Sequence, residues 1–113
     1  MGENFEWNLS KSEIDEIAFK TIVSILEENG TLEINKLIQH LLSRTKNVKS
    51  KKYNKNIIFY LKLNHKGIIK FIENYFAFNI IKSSKSIHIS LIKDNLDLKP
   101  FVNDWIVIGE EDY

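Results

Sequence analysis

Three histidines, His40, His65 and His88, are the side chains best suited to acid–base or metal chemistry near neutral pH. They stand singly, the chain has no cysteine, and no paired carboxylates fall at ligand or triad spacing. Each histidine reads as a surface or boundary residue, so no metal site is expected. A glycine-rich phosphate loop and a Gly-Lys-Ser/Thr step are also missing, and Gly67 reads as a helix residue that allows close packing. The chain is expected to be a non-enzyme without a cofactor.

The cations do carry a pattern. Residues 1–30 hold two lysines against seven acids (−5), residues 31–93 hold thirteen Lys or Arg against two acids (+11), and residues 94–113 hold one lysine against six acids (−5). A formal net charge of +1 therefore conceals a strongly basic middle between acidic ends. Such segregation predicts an anionic partner for the middle, or acidic tails that fold back over it.

The densest stretch is R-T-K-N-V-K-S-K-K-Y-N-K at 44–55, with six cations in twelve residues, a lone Val48 and no helical or strand period. It reads as an exposed loop. Arg44, Lys46, Lys49, Lys51, Lys52 and Lys55 there, Lys62, Lys66 and Lys70 on the following helices, and Lys82 and Lys85 on a hairpin can converge on one phosphate-binding face. Six to ten phosphate contacts would lower affinity by about 10³ to 10⁵ between 50 and 200 mM salt. The alternative is a solvated lysine-rich surface, which the abundance of Ile, Asn and Lys favours. Tyr53 and Tyr60 offer rings for unpaired bases, but their spacing fits the buried face of a helix, so at least one is expected in the core.

The elements that must position these cations follow from periodicity. With 113 residues, 43% of them hydrophobic and 12% aromatic, the chain can build one core. It divides into an N-terminal arm (1–11), one domain (12–93) and an acidic extension (94–113). Phe5, Trp7 and Leu9 alternate in the arm, which suits a short strand, a strap over the core or a frayed end. Ser10 with Glu13 and Ser12 with Asp15 mark a helix start, and Ile14, Ile17, Ala18, Ile22, Ile25 and Leu26 form its apolar stripe as far as Gly30. Thr31–Ile34 is β-prone. Asn35 opens a second helix with Leu37, Ile38, Leu41 and Leu42 inward, and Tyr53, Ile57, Ile58, Tyr60 and Leu61 form a third.

Asn64 is placed to cap a fourth helix with Ile68, Ile69, Ile72 and Phe76 on its buried stripe. The period then changes to two. Phe76, Phe78 and Ile80 alternate, S-S-K-S forms a turn, and Ile87, Ile89 and Leu91 alternate with His88, Ser90 and Ile92. Lys82, Lys85 and His88 are expected at the tip and along one edge of this hairpin. The order predicts an α+β winged helix-turn-helix, with about four helices and a small three-stranded antiparallel sheet. No stretch approaches the roughly 20 apolar residues of a membrane span, and no signal-peptide layout opens the chain. A cytoplasmic protein without a membrane partner is expected, and the acidic end suggests a piece of a larger one.

The segments G-T-L-E-I-N-K-L, Y-N-K-N-I-I-F-Y-L-K and G-I-I-K-F-I-E-N-Y-F-A-F-N-I together resemble a LOTUS (OST-HTH) domain over residues 12–92. They are also similar to the N-terminal winged helix of Egalitarian-type proteins. The resemblance implies a germline RNA-regulating protein of ribonucleoprotein granules. Minimal members of that family bind RNA, including G-rich structures, extended ones dock on a DEAD-box RNA helicase, and some form homodimers. The long basic loop departs from the family pattern. So does the tail, where Pro100 and the β-branched Ile106, Val107 and Ile108 argue against an added amphipathic helix. RNA binding is therefore the expected function. The alternative is a protein-docking module using Trp105, Ile106 and Ile108, with lysines that only solubilise or steer.

Overall fold

A computed structural model describes residues 6–92. Helix α1 (Lys11–Asn29) begins in a capping box, with Ser10 Oγ accepting from Glu13 N at 3.2 Å and Ser10 N donating to Glu13 Oε1 at 2.9 Å. Two otherwise orphaned N–H groups are thereby satisfied. Ile14, Ala18, Ile22, Ile25 and Leu26 are buried as the stripe predicts, and Phe19 joins them against the rings of Tyr75 and Phe78. The helix ends at Gly30, whose φ of 77° is costly for any residue with a Cβ.

Strand β1 (Leu32–Glu33) leads directly into α2 (Ile34–Arg44), which Glu33 caps by accepting from Asn35 N. Leu37 and Leu41 are fully buried, while Ile38 and Leu42 pack at the rim of the core. After the basic segment, Asn56 caps α3 (Ile57–His65) by accepting from Phe59 N at 3.1 Å. Helix α4 (Ile68–Glu73) follows, then β2 (Phe78–Lys82) and β3 (Ile87–Leu91). The sheet order is β1-β3-β2, antiparallel throughout, with Leu32 opposite Ile89 and Ile80 opposite Ile89 from the other side. This is a winged-helix-like α+β arrangement of four helices and a three-stranded sheet.

Several expectations need correction. Asn64 does not cap α4; it lies inside α3 and donates Nδ2 to Tyr60 O. The boundary is instead a corner of two positive-φ residues, Lys66 (65°) and Gly67 (116°), with Gly67 N donating to Leu61 O. Gly67 is therefore a turn residue rather than a packing residue, and beyond its own chain neighbours no atom lies within 4 Å of where its Cβ would be. Because α4 stops at Glu73, Phe76 falls outside the helical period and is 43% exposed, and Phe71 takes the core position. Tyr53 precedes α3 in a turn and is 56% exposed, so only Tyr60 belongs to the core. His88 sits on the central strand, opposite Glu33 and Ile81, and not along an edge. Residues 1–5 and 93–113, with Phe5 and the docking candidates Trp105, Ile106 and Ile108, lie outside the described residues.

Candidate nucleic-acid interface

The basic segment is more than an exposed loop. Thr45, Val48 and Ser50 are each at most 2% exposed, and Val48 joins the main core. Thr45 Oγ1 donates to Leu41 O at 2.7 Å, extending the grip of α2 by one residue, and Val48 N donates to Thr45 O. Ser50 closes the outer turn, its N donating to Lys55 O and its Oγ accepting from Lys55 N at 2.9 Å. From Thr45 to Ser50 every second or third residue is held inward, so Lys46 and Lys49 between them must face water, and residues 51–56 of the outer turn are all exposed.

The arm completes the clasp. Trp7 bridges Ser50 in antiparallel register, and its ring meets Tyr60 edge-on at 5.4 Å. Asn8 N donates to Lys49 O, while its side chain donates Nδ2 to Asn47 O at 2.6 Å and accepts from Lys49 N at 3.2 Å. Lys51 N donates to Glu6 O. Of the three descriptions open for the arm, the strap over the core holds for residues 6–9. An alternating trio of apolar residues announces a strap but not what it crosses.

Lys46, Lys49, Lys51, Lys52 and Lys55 are all exposed on this clasped loop, and none pairs with a carboxylate among the described residues. Lys52 Nζ lies 5.4 Å from the centroid of the Tyr53 ring and Lys55 Nζ 4.9 Å from that of Phe59, contacts that orient each ammonium without neutralising it. Arg44 differs, since its Nη2 is bound to Glu28 Oε1 at 2.5 Å. That guanidinium holds the Glu28 carboxyl below the usual glutamate range. The remaining cations are elsewhere. Lys62 is exposed on α3, Lys66 marks the α3–α4 corner, and Lys70 lies 3.6 Å from Glu73.

Lys82 precedes the Ser83–Ser86 turn and Lys85 lies within it; the turn shares a cleft with Glu33 and Asn35 at the start of α2, whereas the clasped loop leaves its end. The eleven residues of α2 set these two groups about 16 Å apart along the helix. The cations thus form a dense station on the loop and smaller ones at the corner and the hairpin tip.

A polar cluster that sequence reading missed lies across α1 and α3. Asp15 Oδ1 accepts from the Tyr60 hydroxyl and contacts His65 Nε2, both at 2.8 Å, and Tyr60 OH also reaches Lys11 O. Burial, reinforced by the Asp15 carboxylate, pushes the Tyr60 phenol well above its ordinary range. Burial likewise pushes Tyr75 up to about 12. Both stay protonated at neutral pH, and the cluster serves as a clip between the start of α1 and the end of α3. Its members are 45 and 50 residues apart, so no local pattern announces it.

Among the described residues no three His, Asp or Glu gather as a metal site, and no helix is long and apolar enough to cross a membrane. No family model matches the chain, and comparison with curated proteins and with solved structures finds no match.

Proposed function

We propose that this domain is a non-catalytic RNA-binding module that holds the phosphodiester backbone on the clasped loop between α2 and α3. The observation that carries the reading is the presentation of Lys46, Lys49, Lys51, Lys52 and Lys55 on a loop anchored to the core through Val48 and to the arm through Asn8. Ordering before contact reduces the entropy lost on binding. The choice of RNA, and of cytoplasmic ribonucleoprotein granules as its setting, rests on the LOTUS resemblance. Lys66, Lys70, Lys82 and Lys85 belong to outlying contacts on this reading, and Arg44 to the scaffold.

Fluorescence anisotropy with G-rich, other single-stranded and duplex RNA across salt concentrations tests it. Five lysines on a single strand give a log–log salt slope of about −3.5, or about a hundredfold loss between 50 and 200 mM salt. The variant K49E/K51E/K52E should cut that slope to about −1.4 or less. A slope unchanged by the variant would remove the proposal.

A second reading is favoured by one observation: β2 is an edge strand of the sheet, and Ile81 on it and Phe76 just before it are 45% and 43% exposed. An exposed edge with apolar neighbours suits a protein partner, a DEAD-box helicase or a second copy of the chain. Ile81→Asp would then abolish association in sedimentation while leaving RNA affinity intact.

A further inference from the structure

Between the last turn of α2 and the first of α3 lies a cleft of about 320 Å³, lined by Leu42, Lys46, Val48, Lys49, Asn54 and Asn56. We propose that this cleft takes one unstacked nucleotide of a single-stranded RNA, an inference that rests on the RNA-binding reading and narrows it to unpaired strands. The volume sits near the lower end of the roughly 300–1,000 Å³ typical of small-ligand clefts, which suits a single nucleotide, and a base that is paired and stacked in a duplex can enter only after being flipped out.

The lining divides by chemistry. Leu42 and Val48 supply an apolar floor, and Val48 is 1% exposed, so this part of the cleft is fixed by the core. Lys46 and Lys49 are the exposed cations of the rim, suited to the phosphates on either side of the inserted base. Asn56 Oδ1 is occupied as the cap of α3, which fixes the orientation of its amide and leaves Nδ2 as a donor for a base carbonyl or ring nitrogen. Asn54, held at φ 54°, adds an amide that can donate and accept.

Two other clefts of similar size provide an internal comparison. One, about 270 Å³, has Leu9 and Ile17 as its apolar part but sets two acids, Glu13 and Glu16, against the single cation Lys20. The other, about 350 Å³ between α2 and the hairpin turn, pairs one cation, Lys85, with one acid, Glu33. Each would set a carboxylate against an incoming phosphate. The cleft at Val48 has two ammonium groups and no acid in its lining.

The test uses the full 113-residue chain and a labelled octamer RNA of mixed sequence, compared with the same octamer made abasic and with a duplex of equal length. The abasic strand keeps every phosphate, so it separates base insertion from charge. The intact octamer is expected to bind about tenfold more tightly than either control, the low end of what one inserted base contributes, and its addition should shift the methyl resonances of Leu42 and Val48. Asn54→Gly, which keeps the positive φ and removes the amide, should lower intact-strand affinity towards the abasic value and leave the abasic affinity unchanged. Equal binding of intact and abasic strands, both lost in K49E/K51E/K52E, would overturn the cleft and leave the RNA reading standing. Binding of no RNA at 50 mM salt would overturn both.

Discussion

The segment 44–55 and the turn 83–86 are both polar, lysine-bearing connections, yet they are ordered by opposite means. Ser83 and Ser86 close the turn between themselves, through Ser83 N to Ser86 O and the reciprocal hydroxyl bonds. The longer segment has only short bonds of its own and depends on Val48 in the core and on Asn8, 39 and 41 residues from the groups it bonds. A short turn can be specified by its own residues. A long one needs a partner from elsewhere, and its charges are then presented only as well as that partner holds.

The largest expected effect separates the two regions as binding surfaces. K49E/K51E/K52E should weaken RNA binding at 50 mM salt by about a hundredfold, whereas K82E/K85E should cost about threefold or less. Equal losses in anisotropy titrations would dissolve the distinction. Next comes stability. Val48→Ala should destabilise the fold by about 2 kcal/mol, while the exposed Ser84→Ala should stay within about 0.5 kcal/mol by urea denaturation.

Asn8→Ala removes two side-chain hydrogen bonds to the loop, a loss of about 1 kcal/mol. It should accelerate amide exchange at Lys49 and leave Ser86 unchanged. Parallel acceleration at both sites would mean that the loop and the turn open together. The smallest effect concerns pH. Arg44 lowers the Glu28 carboxyl pKa, so this contact stabilises the last residue of α2, from which the loop departs, at neutral pH and is lost as pH falls through the lowered value. Glu28→Gln should flatten the acid limb of exchange at Thr45 and Val48 without altering the hairpin.

The same contrast explains what could be read from the chain. The hairpin, α1 and its capping box were legible because each is written in neighbouring residues: a period of two, a period of 3.6, a serine three positions before a glutamate. The α3–α4 boundary was misread because Asn64 carries a cap signal while the deciding event is the reversal of φ at Lys66 and Gly67. Phe71 and Phe76 thereby exchange roles, since the apolar spacing continues in the sequence past the residue where α4 ends. At the candidate site the lysines were legible by type, but their division into a loop station and a hairpin station depends on the direction of α2. Asn8, Asn54 and the Asp15–Tyr60–His65 clip were hidden because ordinary polar residues gain meaning only from distant partners.

Helix α1 is fastened near both ends, by Asp15 to Tyr60 and His65 and by Glu28 to Arg44, and its middle is sunk into the core through its own Ile14, Ala18 and Ile22. A rod tied in this way has no cheap partial opening, so its central amides should exchange only when the whole domain comes apart, after those of the arm and the clasped loop. The fold thereby carries its own order of disassembly, in which the surface offered to a ligand is released before the beam that supports it.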